Sequence, residues 1–490
     1  MAKSPQATAL SPLDAAFLNF ERAGANMNIG GLAIYEGRLA AESLITLLEA
    51  KIHLAPRYQQ RLVSDPLRLG QPRWTFDPDF DVRNHVFRVA LDPERSEEEL
   101  VEVASRLAAT PLGRDKPMWE FHVISGLAGE RTGLFFRVHH CMVDGASAVE
   151  LMNVLLDISP RPGPLPHKAD YHPPALPGRT RRMIDVLSGG LSHSVSALRA
   201  VRQDAAHFNA MLRDRQKRRL MLAGLANLVS DNLVPIKHFP FNRSTSGQRR
   251  LVWAEFSLAE VRAIRASCGG SVNDVMLAVV GSSVARYLAL HEDQTAEDIL
   301  RVMVPVNVRV EAEKASLGNR VSLILVDVPL WSADPVARLR EVSRATEAMK
   351  RSEFSRGVDT LATLSALIPP PLQALAGTVG GIVGPLALRA LIPFHMTCTN
   401  VPGPQIPLYL MGHKLLINYG FVPIGYHMGV NCVIFSYNQR ISVTLTADHA
   451  VLPDADVFKE LLEESFAALR DAASVSPIEP IELRPARISG

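Results

Sequence analysis

What this chain has little of narrows it first. Cysteine is scarce, and the four present, Cys141, Cys268, Cys398 and Cys432, lie far apart with no CxxC pair. That spacing argues against a zinc ribbon or a disulfide scaffold and suits a reduced, cytoplasmic setting. No GxxxxGK[ST] loop occurs, the glycines from Gly377 to Gly384 have the wrong pattern for GxGxxG, and no GxSxG elbow is present. A phosphate-cradling loop and that kind of serine nucleophile are therefore excluded. An excess of one charge is missing too: 52 basic against 50 acidic residues leave a net +2, which gives no electrostatic case for a nucleic-acid partner. The N-terminus MAKSPQATALSPLD has no apolar signal-peptide core, which points away from export. One uncharged run, residues 360–388, reaches bilayer-spanning length, but three consecutive prolines and four glycines break it. It is expected to form buried helices, or failing that an interfacial surface.

What is present describes a globular chain of 490 residues, 47% hydrophobic and 21% charged. At roughly 150 residues per domain that length suggests about three units. The pattern supports two large ones: residues 1–158, a connector over 159–245, and residues 246–490. The connector opens on a proline cluster at 159–178 and continues as one or two long helices. Those helices carry the basic run Arg213, Arg215, Lys217, Arg218 and Arg219, expected as a solvated face, with contact to anionic lipid or phosphate as the sharper alternative. The second unit reads as a strand from Arg249, helices, strands over 301–310 and 321–329, and four further strands after residue 394.

Chemistry concentrates in residues 133–158. Leu134, Phe136, Val138 and His140 alternate with Phe135, Arg137 and His139, as on a strand, so the two histidines point opposite ways. Asp144-Gly145 then marks a turn, Ser147 an N-cap, and Val149, Met152, Leu155 and Leu156 recur at helical spacing. The histidines thus stand at a strand end, where scaffolds present reactive groups. A neutral imidazole there can take a proton from a hydroxyl and return it to a leaving group, and the carboxylate four residues on can anchor the loop. A core histidine pair beside an ordinary Asp-Gly turn is the bland alternative. Cys141 carries no mark of activation and is expected to be a small buried residue.

The run His139-His140-Cys141-Met142-Val143-Asp144-Gly145 resembles the HHxxxDG motif of CoA-dependent acyltransferases with the chloramphenicol acetyltransferase-like fold. Other segments are similar, in order, to the bacterial wax ester synthase/diacylglycerol acyltransferase family. These are Leu10 to Asp14 with Phe17-Leu18, Met27 to Gly31 with Asn28 where that family usually has His, the stretch from Pro56 to His85, and Pro111 to Glu120. Asn273-Asp274, Leu317 to Arg320 and Asn400 to Pro404 complete the set. The charged segment Asp77 to Asp81 with His85, taken alone, reads as an exposed loop with aromatic anchors.

The resemblance implies a mixed α/β fold of two acyltransferase half-domains with the active site at their interface, and transfer of a long-chain acyl group from acyl-CoA to diacylglycerol or a long-chain alcohol. It implies His140 as general base, His139 as support, Asp144 as loop anchor, through an arginine such as Arg309, and Gly145 as the turn residue. Asn273 and Asp274 are expected mainly to brace the site, with Asn273 a candidate oxyanion donor. No cofactor or metal is implied, and the expected location is cytoplasmic, peripheral to a membrane or lipid droplet. Three rivals stand beside this reading. A peptide-synthetase condensation domain shares HHxxxDG, a metal-dependent oxygenase would need both histidines on one ion, and an inactive lipid-binding homologue would keep the fold without the chemistry.

Overall fold

The computed structural model describes residues 8–10, 14, 17–18, 21, 24–63, 72–143, 147–167, 171, 173, 237–291, 298–307, 321–351, 394–425 and 427–478. In the first part of the chain the described elements are β1 (Thr8–Ala9), β2 (Asn28–Glu36), α1 (Ala41–Lys51), β3 (Gln60–Val63), β4 (Arg73–Phe76), β5 (Val86–Ala90), α2 (Ser96–Ala109), β6 (Trp119–Leu127), β7 (Arg131–His139) and α3 (Ser147–Leu155). The second part contains β8 (Arg249–Ser257), α4 (Leu258–Cys268), α5 (Val272–Leu290), β9 (Ile299–Asn307), β10 (Val321–Pro329), α6 (Pro335–Arg351), β11 (Met396–Pro402), β12 (Tyr409–Leu410), β13 (His413–Phe421), β14 (Val430–Tyr437), β15 (Arg440–Asp448) and α7 (Val457–Ala472).

Two six-stranded sheets organise these elements, in the orders β12-β13-β2-β7-β6-β5 and β10-β9-β11-β14-β15-β8, with β1-β4-β3 as a small third. The first sheet recruits β12 and β13 from the C-terminal part, and β13 pairs antiparallel with β2. Two glycines of β2 permit close packing on both of its sides: a Cβ on Gly30 would lie 1.9 Å from the Phe136 carbonyl of β7, and one on Gly31 would lie 2.8 Å from the Asn418 side chain of β13.

The alternation along β7 gives each face of the first sheet its own core. Leu134 and Val138 join a cluster with Leu44 and Leu48 of α1 and Leu151 and Leu155 of α3. Phe135 joins the opposite cluster with Leu100, Val103 and Ala104 of α2. In the second sheet α5 is apolar almost all round because it is enclosed: Val275 to Val280 are all buried in one cluster with strands of the sheet and with Leu339 of α6 and Leu462 of α7.

The structure revises two local expectations. Asp77 and His85 are buried, and the His85 ring stacks on Trp119 with centroids 4.2 Å apart, so this segment is only partly an exposed loop. Asn400, Val401 and Pro402, expected in a loop, lie in β11 and pair with β14, which supplies their backbone partners. Residues 308–320, 352–393 and 174–236, which hold Arg309, the apolar run and the basic run, lie outside the described residues.

Candidate active site

Strand β7 ends at His139 because its partner β2 begins opposite, at Asn28. The chain then enters a single 3₁₀ turn, His140–Met142. His139 holds that turn itself, since the Cys141 amide donates to its Nδ1 at 3.2 Å, and the Cys141 sulfur lies 3.0 Å from the same nitrogen. The His140 amide donates to the Met27 carbonyl at 2.8 Å, tying the turn to the segment before β2.

The two rings have different surroundings. With Nδ1 accepting from an amide, the ring proton of His139 belongs on Nε2. Nε2 is buried with no hydrogen-bond partner among the described residues and lies 3.6 Å from Oε1 of Glu21. Burial pushes the Glu21 carboxyl up, but His139 and Arg114 outweigh it and hold the group down at about 2. The Glu21 carboxylate also accepts from the Met27 amide at 3.4 Å and from the Arg114 guanidinium.

The His140 ring stacks on Phe17 with centroids 3.8 Å apart and planes 17° from parallel. Its Nδ1 is buried without a partner among the described residues. Burial drives its pKa down to about 4; the pull of its own backbone carbonyl opposes this without cancelling it, and the His139 charge adds to the fall. At neutral pH the ring is uncharged, the form able to accept a proton. Burial pushes the adjacent Cys141 thiol far above its ordinary range, which leaves it inert.

Beneath the histidines a polar lattice fixes the strand ends. Arg137 donates to Glu120 at 2.5 Å and, from Nη1, to the carbonyls of Leu107 and Thr110 at 2.7 and 2.6 Å. Burial raises the Glu120 carboxyl, but His122, Arg137 and Lys116 bring it down to about 2. Asn28 joins the lattice by donating to the Thr110 carbonyl at 2.9 Å, while its own Oδ1 is buried without a partner among the described residues.

Asn273 and Asp274 stand at the start of α5. Ser271 and Asp274 form a reciprocal capping box: the Asp274 amide donates to the Ser271 hydroxyl at 3.2 Å and the Ser271 amide to the Asp274 carboxylate at 2.8 Å. Asn273 accepts from the Asn400 side chain at 3.3 Å, which joins two of the motif segments noticed in the sequence. None of its described contacts reaches His139 or His140. Asp144, Gly145 and Arg309 lie outside the described residues.

Sequence reasoning missed Glu21 and the stacking role of Phe17. The available signal was their spacing: four apart is one helical turn, and the Glu21 amide does donate to the Phe17 carbonyl at 3.1 Å. Beside Glu21 opens a cleft of about 440 Å³, lined by Gly24, Asn26, Pro111, Leu112 and Arg114 from the first part of the chain and by Gly247 from the second. The parts meet here: the Arg249 guanidinium donates to the Gly24 carbonyl at 2.8 Å and is itself paired with Asp448 at 3.0 Å.

Residues 10–276 match the wax ester synthase/diacylglycerol acyltransferase catalytic domain, and residues 317–470 match the C-terminal domain of the same family. A Mycobacterium tuberculosis H37Rv protein named "Probable diacyglycerol O-acyltransferase tgs1" is 31% identical over 464 residues, spanning 94% of this chain and 95% of its own. Among solved structures, the wax ester synthase/diacylglycerol acyltransferase of Marinobacter aquaeolei VT8 superposes with a TM-score of 0.67 at 24% identity, covering 96% of this chain and all of its own. The starter condensation domain of rhizomide synthetase, solved in complex with C8-CoA, shares the fold at a TM-score of 0.54 and 15% identity, covering 98% of each chain. The histidine turn, the mixed two-sheet fold and these matches along nearly the whole chain give one conclusion: the protein belongs to the wax ester synthase/diacylglycerol acyltransferase family of acyltransferases.

Proposed function

We propose that the enzyme moves a long-chain acyl group from acyl-CoA to the hydroxyl of a diacylglycerol or a long-chain alcohol, in one step and without a covalent enzyme intermediate. The observation that carries the reading is His140: a half-buried, uncharged imidazole with a buried, unpartnered nitrogen, held flat against Phe17 at a strand end. In this step His140 takes the hydroxyl proton as the oxygen attacks the thioester carbonyl. The C–S bond then breaks, and the departing CoA sulfur takes the proton back from the imidazolium. His139 positions the turn through Nδ1, with Glu21 fixing its ring, and Asp144 anchors the loop that follows. Asn273 and Asp274 brace the start of α5. No metal or cofactor takes part, so turnover should survive exhaustive chelation.

Among the described residues no single helix is long and apolar enough to cross a membrane. An acceptor nearly insoluble in water favours an enzyme lying on a lipid surface, and the apolar run at 360–388 suits that position. The test is product analysis of purified enzyme given palmitoyl-CoA together with a diacylglycerol and hexadecanol. Triacylglycerol or wax ester should appear in step with free CoA and be lost in His140→Ala. CoA release without either ester overturns the acceptor assignment.

A further inference from the structure

On the far side of the second sheet lies a pocket of about 270 Å³ that the acyl-transfer chemistry does not use. It is formed where α5, α6 and α7 meet the turn after β10. At its base is Arg338, 6% exposed, a guanidinium with no carboxylate partner among the described residues. It donates instead to neutral oxygens: the Ser282 hydroxyl at 2.5 Å, the Pro329 carbonyl at 2.9 Å and the Leu330 carbonyl at 3.0 Å. Buried cations are ordinarily paired, because desolvation without a counter-charge is expensive. Burial first, and the charge of Arg286 second, bring the Arg338 pKa down to about 10, as expected of a guanidinium lacking a counter-ion.

Other donors converge on the same space. The hydroxyl of Ser465, on α7, lines the pocket in a residue only 2% exposed and has no partner among the described residues. Ala333 and Pro335 put the N-terminus of α6, with its positive dipole end, on the wall. Two carboxylates border this space: Glu464 pairs with Arg286, itself a lining residue, at 2.9 Å, and Asp334 caps α6 by accepting from the Val336 amide at 2.9 Å, while Asp298 is held by Lys237 at 2.7 Å. Arg338 is therefore the buried cation of this pocket that neither carboxylate pairs with, and an incoming anion would supply the missing counter-charge.

Its rim is apolar. Trp331, itself a lining residue, is 50% exposed, and Leu290 and Ile299 are exposed large hydrophobics. Ile299 lies opposite Pro329 in the β9–β10 pairing, and Leu290 follows the lining residue Ala289. A tryptophan beside a cationic pocket, with aliphatic neighbours, suits the headgroup level of a lipid layer. We propose that this pocket seats the phosphate of an anionic phospholipid, with Trp331, Leu290 and Ile299 entering the lipid surface around it. The inference rests on the reading of the enzyme as one that works on a lipid surface, and it names the face that meets that surface.

The test uses the full chain. Flotation is measured with phosphatidylcholine vesicles and with the same vesicles containing phosphatidic acid, alongside melting in inorganic phosphate and ester formation from detergent-dispersed substrates. Since Arg338 also ties two carbonyls, the half-exposed Arg286 carries the substitution. Wild type should prefer the phosphatidic acid vesicles about fivefold or more, Arg286→Glu should lose about tenfold of that binding, and Trp331→Ser should weaken binding to both vesicles. Ester formation in detergent should stay at the wild-type rate in both variants. Unchanged phosphatidic acid preference in Arg286→Glu overturns the proposal, as does equal wild-type flotation on the two vesicles. A melting rise in inorganic phosphate without vesicle preference overturns the lipid source. Absence of ester formation by the wild type in detergent strikes the acyltransfer reading instead, so the two failures are distinguishable.

Discussion

Nε2 of His139 lies 3.6 Å from Oε1 of Glu21, a carboxylate that also takes the Met27 amide and the Arg114 guanidinium. Through this arrangement the segment before β2 sets the orientation of the ring that holds the His140 turn. Glu21→Gln keeps the shape and removes the charge facing Nε2. The contact is electrostatic and not a hydrogen bond, and removing one charge at this range from a buried ring is expected to cost roughly tenfold in kcat, with KM nearly unchanged. If Glu21 served folding alone, the melting temperature would fall while kcat of the folded fraction stayed the same.

His140→Ala should cost about a hundred- to ten-thousand-fold in turnover while the protein still folds, because the ring sits at a turn whose backbone bond to Met27 does not need the side chain. Wild-type-like turnover in that variant would remove His140 from the mechanism.

The acid limb of kcat/KM reports the base in the free enzyme. Only neutral His140 accepts a proton, and its pKa is lowered to about 4, so activity should hold level from pH 8 to about pH 5.5. It should then fall with unit slope as the ring protonates. A half-loss near the ordinary histidine value of about 6.5 would show that the burial in this structure does not govern the base. Circular dichroism at each pH separates this limb from unfolding.

Much of this site was legible because its local rules agree. Alternation from Leu134 gave the strand as far as His139, although His140 lies in the turn beyond it and not on the strand's opposite face, and Asn273-Asp274 marked the start of α5, whose cap is Ser271. The pairing of β13 with β2 was not legible, since sequence pattern marks strands but not which sheet a strand joins across nearly four hundred residues. Nor was the burial of Asp77 and His85: charged and aromatic residues in a short run look like a loop until Trp119 provides a stacking face. Glu21 escaped for a similar reason, since its partners come from distant segments.

At the seam, Gly247 has φ of +97°, and a Cβ there would lie 2.9 Å from the Gly24 Cα. Gly247→Ala meets both a left-handed backbone and another backbone that cannot yield as a side chain would. A loss on the order of 1–3 kcal/mol is expected, read as a lower denaturant midpoint. The same approach forms part of the wall of the cleft beside Glu21. Full stability in Gly247→Ala would mean the two parts can separate here without cost.

Two histidines that take no part in the proposed transfer should make the fold acid-sensitive at unusually mild pH, with His140 adding to the same decline. Burial lowers the pKa of His85 to about 4 despite the opposing bond between its Nδ1 and the Trp119 carbonyl at 2.9 Å. Burial likewise lowers His395 to about 4, against its bond to the Lys237 carbonyl at 2.7 Å. The unfolded chain, with histidines near 6.5, binds more protons than the folded one between those values. Stability is therefore complete above about pH 6.5 and is lost as pH falls toward 4, at about 1.4 kcal/mol per unit for each ring. Glu21 and Glu120, both lowered to about 2, add losses only below about pH 4.5, so the first decline belongs to the histidines. The measurement is the urea midpoint from pH 8 to 4.5 for wild type and for His85→Phe, which keeps the stack on Trp119 but cannot titrate. The variant should be weaker at pH 8, where it lacks the bond to the Trp119 carbonyl, and should show a visibly shallower decline with acid. Parallel declines in the two proteins would show that His85 takes up no extra proton on unfolding.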